Sequence, residues 1–582
     1  MKIYKFDSVI VGGGLAGVRA AVEIVSKGYK VCLLTLLDKL IRSHSNAAQG
    51  GIQASLANTI ESVKDNWRAH FDDTVKGSDW LADQDIVEGV VRLAPFLVRQ
   101  LDYWGAVFSR TDNGLINQRQ FGGTTHPRCA FASDGTGHIL MNLIESRAAF
   151  LKIPVFSRRQ TLSLILDGNK VIGVTALNLI NGDIEAFLGN TVILATGGAG
   201  LLYKDTTNAR TCFGDGMAIA LETGLIPLGN PEFVQFHPTP MPPPNILATE
   251  GCRGDGGVLL NSEGKEFMWD YSPTKGNLAS RDVVSRAMMR EIAAERGVDG
   301  FGTKHLWLDI KRLGYEHVIT KLRDVYFLCR NFIGVDPTKE YIPVRPAQHY
   351  TMFGVKTDKY CESYGVQGLY AIGECACWDM HGANRLGGNS LLETIAAGYI
   401  AGQVILGNLD KKGAAGVGFS DILAKEEIGR QESRIKKILD KKGGENVYSV
   451  FFEMREIVAR KAGIFRNGQD AELGIAALKT IFERSANVAV NCKIMGPNLE
   501  LQLALRLSGM VKIALCVMKS AFLRTESRGS HWRDDYPQRD DKNWLKRTLA
   551  YFPIDASEPK INYEPIKITL LPPGDRGYGE KK

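Results

Sequence analysis

The pattern of apolar and polar positions opens with a strand over residues 6–11, which runs straight into Gly12-Gly13-Gly14-Leu15-Ala16-Gly17. Val18, Ala20, Ala21, Ile24 and Val25 then recur at helical spacing, Gly28 ends that helix, and Val31-Cys32-Leu33-Leu34 reads as a second buried strand. The unit is βαβ, with G-x-G-x-x-G at its first strand-to-helix turn. Residues 164–178 alternate like a hairpin around Asp167-Gly168. Residues 191–194 form another strand and end in a second glycine turn, Ala195-Thr196-Gly197-Gly198. Pro242-Pro243-Pro244 opens a stretch, 241–350, that reads as a separate α+β insertion. Charged amphipathic helices dominate 417–530, for example over 421–441, and the remainder is polar, Pro-rich and dotted with Trp and Tyr. No internal repeat is present.

Composition bounds this picture. At 582 residues the chain exceeds a single core, so about two to four domains are expected. With 44% hydrophobic and 23% charged residues it is neither disordered, collagenous nor disulfide-stapled. Lys and Arg number 71 against 64 Asp and Glu, and a surplus of +7 is small at this length. It points to neither nucleic acid nor a membrane surface; a basic site for acidic substrates is the milder inference. The ten cysteines form no CxxC or CxxCH, so no zinc, iron–sulfur or c-type haem site is expected in this chain. Their scatter suits a reducing compartment. No signal peptide precedes the first strand, and no uncharged apolar run reaches the ~18–20 residues of a membrane span.

The first glycine turn carries chemistry because of its context. Gly12 permits the tight turn, Gly14 lets backbone approach a pyrophosphate, and Gly17 lets helix and strand pack closely. The helix N-terminus beyond supplies N–H groups to the anion. The acidic ribose ligand usual at the end of the second strand is missing: Thr35 stands there, which argues against a conventional NAD site. Further on, His44 lies in Arg42-Ser43-His44-Ser45-Asn46-Ala47-Ala48-Gln49-Gly50-Gly51, a small-residue segment that can lie flat against a cofactor.

That segment resembles the flavin-attachment segment of the flavoprotein subunits of fumarate reductases and succinate dehydrogenases, whose matching histidine carries FAD covalently. The resemblance continues in order through Gln118-Arg119-Gln120-Phe121-Gly122-Gly123 and Asp134-Gly135-Thr136-Gly137-His138, then Gln235-Phe236-His237-Pro238-Thr239. Thr249-Glu250-Gly251-Cys252-Arg253-Gly254, Leu278-Ala279-Ser280-Arg281-Asp282 and His349-Tyr350-Thr351-Met352 follow. Gly373-Glu374, His381 to Leu391 and Arg524 to Gly529 complete it, so about residues 5–540 are covered.

The resemblance implies an α/β fold: a Rossmann-like FAD-binding domain in two parts (1–240 and 351–416), an inserted capping domain (241–350), a helical domain (417–530) and a small C-terminal domain (531–582). It implies FAD attached at His44. Gly12, Gly13, Gly14, Ala16 and Gly17 would hold the pyrophosphate, with Thr35, Ser43, Ala48, Gly50, Gly51, Thr196, Gly197 and Asp215 along the cofactor. Glu374 would bond its ribityl chain, and Ser390 and Leu391 would offer N–H groups to its pyrimidine edge. Fumarate and succinate are dicarboxylates, so donors must converge at two ends; His237, Thr249, His349 and Arg385 can supply them beside Phe121. By resemblance Arg281 exchanges the substrate proton, relayed from solvent by Glu250 and Arg253. An arginine is an acid only in a dry pocket, since its solution pKa lies above ~12.

The expected partners are an iron–sulfur subunit and a membrane cytochrome b anchor with menaquinone or another quinone, because FAD takes two electrons and this chain has no metal centre to pass them singly. The expected location is peripheral, on the cytoplasmic face of a bacterial inner membrane. Phe353 departs from the Met-Gly-Gly usual after the capping histidine and is expected to alter that loop or narrow the cavity. L-aspartate oxidase shares the fold and most substrate motifs, but it lacks the attachment histidine; His44 discriminates. A haem-fused soluble reductase is disfavoured by the missing CxxCH, adenylylsulfate reductase by its need for a nucleotide pocket. A non-catalytic assembly subunit is disfavoured by intact Arg281, His237, His349 and Arg385.

Overall fold

The computed structural model describes residues 2–412 and 420–576; the expected boundary between 416 and 417 and the chain beyond 576 lie outside the described residues. The opening βαβ unit is β1 (Lys2–Val11), α1 (Leu15–Val25) and β2 (Val31–Leu34). Five more strands complete this seven-stranded sheet: β3 (Val155–Phe156), β4 (Arg159–Asp167), β5 (Lys170–Asn178), β6 (Ile184–Leu194) and, much later in the chain, Leu369–Ala371. The spatial order of the numbered strands is β3-β2-β1-β6-β5-β4. β1 is parallel to both neighbours, with Val11 opposite Leu34 on one side and Leu194 on the other. The outer edge of β6 is shared: its first half pairs antiparallel with β5, its second half parallel with Leu369–Ala371. Parallel strands covered on both faces need continuous apolar runs, and Val9, Ile10, Leu33, Val192 and Ile193 are fully buried. Gly12, Thr35 and Ala195 therefore meet at one edge, the carboxyl ends of adjacent parallel strands, where ligands of such sheets bind.

Two strands, β7 (Val234–His237) and β8 (Ala347–Thr351), pair antiparallel and join this body to the insertion between them. The insertion has its own four-stranded antiparallel sheet and its own core. Against that sheet lies α2 (Arg281–Ala293), burying Val284, Ala287 and Met288 beside Leu259, Leu306 and Leu308. After β8 the chain returns to the body, where α3 (Asn389–Lys412) packs along α1.

Four helices follow: α4 (Asp421–Asp440), α5 (Val447–Lys461), α6 (Gly468–Ser485) and α7 (Leu499–Leu523). Ser420, Asn446, Asn467 and Asn498 cap their N-termini through side-chain oxygens, the local signal that starts each helix. By length and composition residues 389–410 and 499–523 could cross a membrane, yet 61% and 89% of those apolar windows are buried inside the fold. Leu507, Met510 and Val517 of α7 share one core with Val9 and Val192 of the sheet, so the helical region is packed onto the body rather than set apart from it. The tail does likewise. β9 (Lys546–Tyr551) and β10 (Lys560–Pro565) form a hairpin, and β9 pairs with Leu228–Gly229 in a five-stranded sheet that also holds Gly354–Lys356.

Phe353 is fully buried in the main core, away from the cavity described below, and its backbone is not left-handed. The expected narrowing does not occur. Gly354, the next residue, makes the close approach: a Cβ there would lie 2.5 Å from the Ala376 carbonyl carbon.

Candidate active site

The glycine turn closes as its spacing requires. Gly12 has φ +123°, and a Cβ on it would stand 2.1 Å from the Ala195 carbonyl oxygen. A Cβ on Gly17 would stand 2.1 Å from the Gly12 carbonyl oxygen, so α1 rests directly on the turn. Above the turn opens one cavity of about 1520 Å³, larger than the ~300–1,000 Å³ of an ordinary small-ligand site and roomy enough for a dinucleotide and a substrate together. Every cofactor residue expected from sequence lines it except Gly17, which acts by packing. Every substrate and proton-transfer residue lines it except Arg253.

The residues present fit FAD. The α1 N-terminus, whose first N–H groups have no helical partners, faces the cavity, and so does the start of α3 at Ser390 and Leu391. His44 sits in the turn His44–Ala47, and the Ala209 N–H donates to its Nδ1 at 3.3 Å. Enclosure pushes the imidazole down to about 4, so it is a neutral ring available as a nucleophile. Asp215 lines the cavity, but Arg506 of α7 grips both its oxygens, from Nε at 2.8 Å and NH2 at 3.1 Å. Its carboxylate is therefore neutralised by the helical region. Glu374 accepts from the Thr351 N–H at 2.9 Å, and burial pushes it up to about 7.

At the far end the side chains expected to act on the substrate come together. Arg281 is the first residue of α2; its Nε and NH2 both donate to Glu250 Oε2, at 2.8 and 2.7 Å. The other Glu250 oxygen accepts the Gly122 N–H at 2.9 Å. Burial opposes ionisation of Glu250, but Arg281 and then Arg253 hold it below the usual carboxylate range. Arg253 stands 3.9 Å from Glu250 Oε1 and also donates to the Asn277 carbonyl. Its side chain is fully buried, so the Arg281–Glu250–Arg253 series expected to reach solvent ends inside the protein in this conformation.

Across from Arg281 lies Arg385, which donates to Ser390 Oγ and lies 4.2 Å above the Tyr350 ring. Burial, then Arg281, pushes Arg385 down to about 9. His237 accepts the Thr239 N–H at Nδ1, 3.2 Å, so its proton resides on Nε2, a buried atom with no partner. His349 Nδ1 is held by Thr207 Oγ1 at 2.8 Å, and the two imidazoles meet edge to face at 4.8 Å. Burial and then Arg281 drive both rings well below the ordinary histidine range. The pocket thus holds two guanidiniums, one carboxylate and two neutral imidazoles, a cationic surplus that suits a small polyanion.

Gln235 joins the two guanidiniums, and sequence reasoning assigned it no role. Its Oε1 accepts from Arg281 NH1 at 3.0 Å and from Arg385 Nε and NH2 at 3.3 and 2.9 Å. Its Nε2 is fixed in turn by the Asn384 Oδ1 and the Arg385 carbonyl, both at 2.8 Å. Its place two residues before His237 on one strand was the available signal. Thr207, which orients His349, had none.

Comparison with known proteins agrees with this geometry. A family model described as FAD binding domain matches residues 7–391, and one described as the fumarate reductase flavoprotein C-terminus matches 452–578. The fumarate reductase flavoprotein subunit of Helicobacter pylori is 41% identical, over 100% of this chain and 88% of its own. The succinate dehydrogenase flavoprotein subunit of Rickettsia bellii is 38% identical, over 99% of this chain and 98% of its own. A solved Escherichia coli quinol fumarate reductase chain superimposes with a TM-score of 0.94 at 35% identity, covering 100% of both chains.

Proposed function

The chain belongs to the flavoprotein family of fumarate reductases and succinate dehydrogenases, and from that premise we propose how its own residues carry the reaction. It is the catalytic flavoprotein subunit that interconverts fumarate and succinate. FAD, when bound along the cavity and attached at His44, supplies hydride exchange with one central carbon of the substrate. The observation that carries the reading is the pair of guanidiniums bridged by Gln235, facing the unpartnered Nε2–H of His237 at the closed end of the cofactor cavity.

Arg385, His237, His349 and Thr249 bind the two carboxylates, and neutral imidazoles can donate without adding charge. Phe121, buried at the wall, excludes water. Arg281 gives a proton to the second central carbon, or takes one from it. Glu250, a carboxylate while Arg281 is charged, takes up a proton from Arg253 or from water once Arg281 has lost its own, and passes it on through the bonds it makes to Arg281 Nε and NH2; in the reverse direction the proton leaves the same way. Arg253 is next in the series; because it is buried, resupply from solvent requires water entry or movement of the capping segment about β7 and β8. The soluble oxidase alternative is not favoured, since relatives 38–41% identical are fumarate reductase and succinate dehydrogenase flavoprotein subunits and His44 stands in the cavity.

The subunit is peripheral in a membrane-bound complex with an iron–sulfur subunit and a quinone-reactive cytochrome b anchor, on the cytoplasmic face of the inner membrane. The test is acid precipitation of the purified complex, a denaturing gel viewed for flavin fluorescence, and mass spectrometry of the His44 peptide. Fluorescence on this chain, mapping to His44, is expected, together with fumarate-dependent oxidation of an artificial electron donor. Flavin found wholly in the supernatant would overturn the covalent assignment; absent turnover would overturn the reaction.

A further inference from the structure

We propose that Arg576, in the C-terminal arm, is a positioning residue for Arg281: it clamps the two residues that flank Arg281 and holds the capping segment closed on the body. The inference rests on the proton-transfer role given to Arg281 above.

Arg576 meets Asp282 with both ends of its guanidinium, NH1 to Oδ2 at 2.8 Å and NH2 to Oδ1 at 3.2 Å. The same NH2 reaches Ser280 Oγ at 3.4 Å and the Gly77 carbonyl at 3.3 Å. Ser280 and Asp282 belong to the capping segment, at the start of α2; Gly77 belongs to the body. One side chain therefore spans the boundary on either side of Arg281. The ion pair is dry, with side-chain exposures of 9% and 0%. Burial pushes the Asp282 carboxyl up, but Arg576 and then Arg286 hold it below the usual carboxylate range.

The arm that carries Arg576 is fastened to the body. Gln84 Oε1 accepts the N–H groups of Thr569, Leu570 and Leu571, and Gln84 Nε2 donates to the Leu571 carbonyl. Arg539, paired with Asp79, donates to the Gly574 carbonyl two residues before Arg576. A second C-terminal segment grips the same helix, where Arg286 donates to the Gly529 carbonyl at 2.9 Å. The chain enters and leaves the capping segment through β7 and β8, and the two halves also meet where Glu250 accepts the Gly122 N–H, Asp134 accepts the Val325 N–H and Gln49 donates to the Leu247 carbonyl. Rotation about the strands would part Asp282 from Arg576 together with these contacts, with both halves still folded. A bidentate contact that exists in one of two arrangements biases the equilibrium toward it.

The experiment compares the intact complex with its Arg576→Gln and Arg576→Lys variants, measuring flavin content, fumarate-reduction kinetics and amide hydrogen exchange at β7 and β8. The expected result for R576Q is unchanged flavin attachment and a kcat lower by roughly ten- to a hundred-fold, the scale of a displacement of about 1 Å at a reacting group. Faster exchange at both hinge strands accompanies it, and R576K recovers most of both effects. Wild-type kcat and wild-type hinge exchange in R576Q would overturn the proposal. So would loss of flavin and turnover together, unrestored by R576K, which marks a merely structural contact. A wild-type complex that fails to reduce fumarate would overturn the assigned reaction instead, while the exchange comparison would still decide whether Arg576 holds the capping segment closed.

Discussion

Arg281 works as part of a fixed set of charges, and substitutions at this scale separate the members. Its Nε and NH2 share one Glu250 oxygen, while NH1 is turned to Gln235. Arg281→Lys keeps the charge but cannot make the fork, and Arg281→Gln loses both. Either variant should retain FAD while turnover falls by about 10²–10⁴, the range ascribed to a lost general acid–base. Normal fumarate reduction by either would remove Arg281 from proton transfer. Gln235→Leu tests the bridge. It leaves the N–H groups of two guanidiniums without their shared acceptor, at a cost of about 1–3 kcal/mol. The expected outcome is a kcat/KM at least about tenfold lower with flavin still attached; steady-state kinetics on the variant complex would check it. Gln235 was legible as part of a motif, but its role was not, because its partners Arg281 and Arg385 lie 46 and 150 positions away in sequence.

At the scale of the element, the order and type of the first βαβ unit were legible, while its first strand starts at Lys2, four residues before the apolar run that announces it at 6–11. An apolar strand, three spaced glycines and a helical apolar stripe are all signals carried by neighbouring residues, although the close approach that Gly12 permits is to the distant Ala195 carbonyl and only that of Gly17, to Gly12, is itself local. Gly17 gives the sharpest consequence. Gly17→Ala places a methyl 2.1 Å from the Gly12 carbonyl and should destabilise the unit by about 1–3 kcal/mol while lowering flavin occupancy. Gly407→Ala in α3 is the contrasting case: nothing stands within 4 Å of its added Cβ, so helix propensity alone should raise stability by about 0.5–1 kcal/mol. Thermal melts of the two variants should move in opposite directions, and a shift in the same direction would contradict the packing assigned to Gly17. The tail reads as a short appended domain or arm, and its hairpin joins a sheet that also holds Leu228–Gly229, a pairing no local pattern announces.

For the whole molecule, buried neutral histidines set the response to acid. His70 is pushed down to about 3, and His237, His349 and His531 lie well below the ordinary value, in each case first through burial. The unfolded chain takes up these protons near pH 6.5, and the folded chain does not. Their stabilising contribution is therefore complete above about pH 6.5 and is lost as pH falls toward the folded values. Glu374, raised to about 7, and Asp134, also raised by burial, act in the opposite sense, but they are two groups against these four, and His305 is lowered by burial as well. The melting temperature should fall steeply between about pH 6.5 and 4.5; a flat profile there would contradict the neutral, buried state of these rings. The sequence by itself determined the dinucleotide turn and named a set of residues nearly all of which line the cavity, because glycine geometry and motif chemistry are written in neighbouring residues. Tertiary structure alone decided that Gln235 ties the two arginines together, that Arg506 neutralises Asp215 from 291 positions away, that Arg253 ends in a dry interior, and that Arg576 closes on Asp282. Such contacts join segments brought together only when sheet, capping segment and tail pack, and their partners follow from that closure rather than from spacing along the chain.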